Sequence, residues 1–154
     1  LKIDENSILI IRGCGPVGYP GSAEVINMQP PDKLLKKGIN TLPTLGDGRQ
    51  SGTSASPSIL HVSPESAVGG DLGIVKTGDK IKIDLNKRRV DLLISQSEFK
   101  NRRKKIKKFK INNQTPWQEI FRDTVGQLED GACIKSRGVY LKVSTSKGIP
   151  RNSH

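Results

Sequence analysis

Two short stretches of this chain carry residues whose types and spacing could do chemistry. "GYPGSAEVINMQPP", Gly18 to Pro31, turns through two glycines and a proline before delivering a single acid, Glu24. "LGDGRQSGTSASPS", Leu45 to Ser58, sets Ser51 between Gly48 and Gly52, with Thr53, Ser54 and Ser56 beside it and Asp47 and Arg49 just ahead. A carboxylate aimed by a tight loop suits a hard cation such as magnesium, which takes oxygen ligands and often only one or two from the protein. A glutamate in the first turn of a helix, stabilised by the dipole, gives the same pattern without any metal. Ser51 becomes a base or nucleophile only where its pKa is lowered, and metal coordination is one means; a flexible polar loop is the plain alternative. Arg49 can grip a substrate carboxylate through its two-pronged fork, or it can pair with Asp47.

Other chemistries find little support. No GxSxG elbow surrounds Ser51 and no triad partners follow it, which disfavours a hydrolase. The glycine spacing matches neither GxGxxG nor a P-loop. Cys14 and Cys133 lie far apart, fit no zinc spacing, and read as free thiols in a reducing compartment, behaving as small apolar residues. His61, within "PSILHVS", reads as a core or edge residue of a strand.

The elements that must position these residues are legible in outline. "SILIIRG", residues 7–13, is a β-branched apolar run ending at glycine, as a buried strand does. A short helix is expected from Ser22, its N-cap, which places Glu24 in the first turn; "PPDKLLKKG" gives another, with proline at its start and Gly38 as its stop. Residues 41–45 and "PSILHVS" read as strands on either side of the Ser51 loop. "KIKIDL" and "RVDLLI" around the polar turn "NKR" read as a β-hairpin. Capping patterns at Ser95–Glu98 and Thr115–Gln118 start two further helices, the second with Trp117 and Phe121 four apart as a core-facing stripe. A mixed α/β domain is expected, strand-rich in the middle with peripheral helices, its sheet strongly curved or closed into a barrel.

Length and charge bound the rest. At 154 residues, 33% hydrophobic, the chain suits one domain with a modest core. We expect residues 1–144 to form it and 145–154 to be a flexible tail; the start at Leu1 fits a piece of a longer protein. No run approaches a membrane span and no leader pattern opens the chain, so a soluble cytoplasmic protein is expected. Of the net charge of +11, eight basic residues fall in "KNRRKKIKKFK", Lys100 to Lys110, leaving +3 elsewhere. Such a run is usually a solvated helix face, and aromatic residues for base stacking are nearly absent from it. A non-catalytic module that binds nucleic acid or an acidic partner through this basic helix is the alternative functional reading, to be recognised by steep salt dependence.

Taken together, "GYPGSAEVINMQPP", "GDGRQSGTSASPSILHVSPESAVGG", "GDKIKIDLNKRRVDLLIS" and "TPWQEIFRDTVGQLEDGAC" resemble the C-terminal region of the dihydroxy-acid and sugar-acid dehydratase family, over about residues 8–140. The "YPG", "GRQSGTS" and "TPWQE" forms look like the sugar-acid branch. The resemblance implies a hydro-lyase dependent on an iron-sulfur cluster and magnesium that converts a sugar acid to a 2-keto-3-deoxy acid. It implies Glu24 as a magnesium ligand, Ser51 as the catalytic base, and Thr53 near the substrate, with a swivelling β/β/α barrel-like fold. Ser22 and Gly46 depart from the family's usual residues, methionine and a hydroxyl residue. The cluster cysteines and other magnesium ligands belong to an N-terminal domain that this chain lacks, and Cys14 and Cys133 do not match them. The resemblance therefore also implies a chain inactive by itself, whose partners are a sugar acid, its own N-terminal domain and further copies of the full-length protein; neither membrane nor nucleic acid is expected.

Overall fold

The computed structural model describes residues 2–21, 29–49, 55–106 and 115–135. The expected helix at Ser22, Glu24 within it, Ser51, Thr53, the end of the basic run and the tail all lie outside the described residues.

Three short strands, β1 (Leu9–Ile11), β2 (Thr44–Gly46) and β3 (Ser58–Ile59), form a parallel sheet in that order. Leu9 pairs with Thr44, and Thr44 with Ser58. Parallel neighbours require a crossover between them. The connection from β1 to β2 contains the helix α1 (Asp32–Leu35). Proline precedes its first residue, and Gly38 ends it at φ 78°, where the absent Cβ allows a left-handed turn. The Ile39 and Gly38 N–H groups close back on the Leu34 and Leu35 carbonyls at 3.0 and 2.9 Å, the paired bonds of a Schellman stop. Among the described residues the buried hydrophobic side chains are Leu34, Leu42, Leu45, Ala67, Leu72, Ile74 and Val125.

The expected hairpin is β4 (Ile81–Asp84) and β5 (Arg89–Leu92), antiparallel, with Ile81 opposite Leu92. Two further helices begin as their caps predict. Ser95 Oγ accepts from the Glu98 N–H at the start of α2 (Gln96–Lys104), and Thr115 Oγ1 from the Gln118 N–H at the start of α3 (Pro116–Thr124).

The domain is mixed α/β, as expected, but among the described residues the two sheets do not close into a barrel. Strands of two to four residues are too short to wrap around a common axis. Two other expectations are corrected. His61 is not within a strand: β3 ends at Ile59, and His61 is exposed with φ 55°. The stripe on α3 does not face the core, since Trp117 is 80% exposed and Ile120 and Phe121 are exposed as well. The polar face of α3 makes the contacts instead, because it reaches backbone carbonyls that need donors.

The basic run is partly structural. Arg102 forks onto both Asp79 oxygens at 2.5 and 3.1 Å, bonds Glu98 at 2.7 Å and reaches the Ile74 carbonyl at 3.3 Å. Arg103 pairs with Asp71 at 2.5 Å. These bonds tie α2 to the 3-10 turn Asp71–Ile74 and to the residues leading into the hairpin. The Arg102 guanidinium, through its hydrogen bonds first, holds the Asp79 and Glu98 carboxyls below the usual carboxylate range, and the two acids push Arg102 further up. No helix among the described residues is long and apolar enough to cross a membrane.

Candidate functional site

The carboxyl ends of the three parallel strands lie side by side, and in open α/β sheets ligands bind beyond such ends. Three segments leave from there. The chain after β1 runs through Gly13–Gly21 towards Glu24, the chain after β2 through Asp47–Arg49 towards Ser51, and the chain after β3 directly to His61.

Two fully buried carboxylates hold the first segment. Asp47, 0% exposed, accepts from the Cys14 N–H through Oδ1 and from the Gly13 N–H through Oδ2, both at 3.0 Å. Its Oδ2 also accepts from Ser66, from the N–H at 2.9 Å and the hydroxyl at 2.5 Å. Glu65, also 0% exposed, accepts from the Val17 and Gly18 N–H groups at 2.8 Å each, and from Gln127 Nε2 at 2.9 Å. Gln127 Oε1 in turn accepts from the Glu65 N–H. Successive backbone N–H groups of a glycine-rich turn make a concavity for an anion; here the anions are the protein's own side chains. Ionised acceptors shorten and strengthen such bonds.

Helix α3 clamps the same segment from outside. Arg122 Nε donates to the Val17 carbonyl at 3.0 Å and Gln118 Nε2 to the Pro20 carbonyl at 3.2 Å. The glycines permit the close approach: a Cβ on Gly18 would lie 2.6 Å from the Gly13 carbonyl oxygen, and one on Gly48 2.8 Å from the Cys14 Cβ. On Gly15 it would collide with the Glu65 carboxyl.

Asp47 therefore pairs with backbone and Ser66 rather than with Arg49, which is exposed at the edge of the described segment. Arg49 is the one expected site residue that the structure describes; Glu24, Ser51 and Thr53 lie outside it. Sequence reasoning missed Glu65, Ser66, Gln127 and the polar face of α3. The acid of "SPES" was a signal of sorts, an acidic residue in an otherwise small and polar stretch, but its burial depends on contacts with residues 48 and 62 positions away. Cys14 and Cys133 are not disulfide-bonded, and both are half-buried. Burial first, and the neighbouring Asp47 charge second, push the Cys14 thiol up, so it stays protonated and a poor metal ligand.

Among the described residues no group of three or more His, Cys, Asp or Glu side chains could hold a metal. The oxygens of Asp47 and Glu65 are taken up by protein donors. The described residues thus do not by themselves fit magnesium or an iron-sulfur cluster.

Comparison with known proteins gives the family. The family described as "Dihydroxy-acid/6-phosphogluconate dehydratase C-terminal" matches residues 1–132. The chain is 53% identical to D-xylonate dehydratase of Caulobacter vibrioides over 154 residues, covering all of this chain and 26% of that protein. It is 52% identical to L-arabinonate dehydratase of Rhizobium leguminosarum, again over all of this chain and 26% of the relative. Dihydroxy-acid dehydratase of Thermodesulfovibrio yellowstonii is 40% identical over 87% of the chain and 24% of its own length. The chain spans about a quarter of the length of these curated relatives. It belongs to the dihydroxy-acid and 6-phosphogluconate dehydratase family, matching its C-terminal domain and fitting its sugar-acid branch.

Proposed function

We propose that this chain is the substrate-closing C-terminal domain of a hydro-lyase that dehydrates a sugar acid to a 2-keto-3-deoxy acid. In this reading Arg49 holds the substrate carboxylate, Ser51 takes the proton from C2, and Thr53 contacts the substrate beside it. Ser51, an alkoxide when it takes the C2 proton, returns that proton to the departing C3 hydroxyl, which leaves as water, and the resulting enol tautomerises to the keto acid. Glu24 serves as a magnesium ligand, and the cluster is held by polypeptide outside this chain. When bound, these groups supply Lewis-acid assistance to the departing hydroxyl and the substrate carboxylate. The protein is read as cytoplasmic, with residues 1–144 as the domain, assembling with its N-terminal part and with further copies of itself.

The observation that carries this reading is the arrangement at the sheet end. The segments running to Glu24 and to Ser51 leave adjacent parallel strands, and the Asp47 carboxylate bonds one to the other. Identity above 50% to two sugar-acid dehydratases supports the substrate class. The test is turnover of a panel of four- to six-carbon sugar acids by the full-length protein, prepared anaerobically with magnesium. Formation of a 2-keto-3-deoxy acid supports the proposal. A metal-replete protein that turns over none of the panel contradicts it. The alternative, a non-catalytic module that binds nucleic acid or an acidic partner through its basic helix, loses support from the commitment of Arg102 and Arg103 to ion pairs within the fold.

A further inference from the structure

The third strand of the parallel sheet brings a residue to the site that the dehydratase chemistry above does not use. Past β3 the chain stays beside β2: the His61 N–H donates to the Gly48 carbonyl at 3.2 Å and the Val62 N–H to the Gly46 carbonyl at 3.0 Å. Two consecutive donors meet the same neighbouring segment only because His61 adopts φ 55°, which interrupts the alternation. Glycine or asparagine fills such a left-handed position more readily than histidine. The backbone bulge thus explains the turn and leaves the imidazole unexplained.

That imidazole is exposed and has no hydrogen-bond partner among the described residues. It lines an open depression of about 540 Å³ together with Ser63, Leu128, Glu129 and Gly131. Ser63 Oγ donates to the Glu129 carboxylate beside it. The wall therefore offers a carboxylate, a hydroxyl and an imidazole. These groups accept from and donate to hydroxyls, and Glu129 repels a carboxylate. Arg49, one residue beyond the carbonyl that His61 bonds, suits the carboxylate end of a ligand.

We propose that His61 is a substrate-binding residue whose imidazole hydrogen-bonds the hydroxyl-bearing chain of the sugar acid beyond C3, with Ser63 and Glu129 on the same wall. The proposal rests on the dehydratase reading, and it fixes the direction in which the substrate lies: carboxylate towards Arg49, hydroxylated tail towards His61. The wall favours a sugar acid over a plain 2,3-dihydroxy acid, since only the sugar acid carries hydroxyls beyond C3 for it to bond.

The test uses the full-length, metal-replete protein as wild type, His61→Asn, His61→Gly and Glu129→Gln. Asparagine and glycine both accept the left-handed backbone, so each removes the imidazole and keeps the turn. Three quantities are read: KM and kcat for a five-carbon sugar acid, the inhibition constant of a 2,3-dihydroxy acid with no hydroxyl beyond C3, and the melting temperature. The expected result is a sugar-acid KM raised about tenfold by either His61 variant, the scale of one lost hydrogen bond. Glu129→Gln raises the same KM, while the short acid binds all four proteins equally and melting temperatures stay level. Wild-type KM and kcat in both His61 variants of an active protein overturn the assignment and leave the dehydratase reading standing. Equal weakening of the long and the short acid overturns it too, because the role is then structural. A wild type that dehydrates nothing on the panel overturns both.

Discussion

The carboxylate of Asp47 accepts a hydrogen bond at 3.0 Å from the backbone N–H of Gly13, joining the segment that leads to Ser51 to the segment that leads to Glu24. The two described segments that precede the side chains on which dehydratase chemistry is proposed to depend thus share one buried anchor. Replacing Asp47 by asparagine keeps the shape but turns one acceptor oxygen into a donor that faces N–H groups. We expect Asp47→Asn to cost about 2–4 kcal/mol in urea unfolding, several buried charge-assisted bonds being lost at once. Glu65→Gln should cost less, because Glu65 accepts from three donors where Asp47 accepts from four. Equal stability of Asp47→Asn and wild type would show that the cradle is not formed.

Gly48 and Cys14 are packed so closely that a Cβ on the glycine would sit 2.8 Å from the cysteine Cβ. Gly48→Ala is expected to destabilise by about 1–3 kcal/mol through overpacking. The double variant Gly48→Ala with Cys14→Gly should recover part of that loss, giving a coupling energy of about 1 kcal/mol in a double-mutant cycle. Additive effects would place the two residues apart.

Acid unfolding reports on the Arg102 cluster. The folded-state pKa values of Asp79 and Glu98 are lowered, chiefly by their hydrogen bonds to Arg102. The stability they contribute is present above their unfolded values, near pH 4, and is lost as pH falls through the lower folded values. Unfolding free energy should therefore hold steady from neutral pH down to about pH 5 as far as this pair is concerned, and fall below about pH 4. Asp79→Asn should be less stable than wild type at neutral pH, with the gap narrowing as pH falls below about 4 and through the lowered folded value of Asp79. A gap that is constant across that range would contradict the ion-pair account.

Much of the fold was readable before any coordinates, and the exceptions have physical causes. Caps at Ser95 and Thr115, the Gly38 stop and the hairpin around residues 86–88 are set by neighbours within a few positions, so local chemistry identifies them. Strand lengths, barrel closure and the facing of Trp117 and Phe121 depend on what the elements pack against, which periodicity does not contain. The motif singles out Arg49 as a candidate, whereas the roles of Glu65 and Gln127 depend on partners about 48 and 62 residues away, which no local pattern contains. His61 looked like a strand residue because the apolar run continues through it; only its positive φ reveals the bulge.

The orientation of α3 is open to a direct optical check, since Trp117 is the chain's single tryptophan. At 80% exposure its fluorescence should be water-like and readily quenched by acrylamide under conditions where far-UV circular dichroism shows a folded chain. Trp117→Ala should change the stability of this chain by no more than about 0.5 kcal/mol. A shielded, blue-shifted indole in the folded chain would place the apolar stripe against the core after all.

The most direct test of the central claim is the turnover of full-length, metal-replete protein with a five-carbon sugar acid, comparing wild type with Ser51→Ala. The account predicts that the variant keeps its metals and its fold while kcat falls by about 10²–10⁴-fold, as expected for removal of a positioned base. A Ser51→Ala protein that forms the 2-keto-3-deoxy acid within about twofold of the wild-type rate would contradict it, leaving Ser51 as a loop residue and the proton transfer to another group.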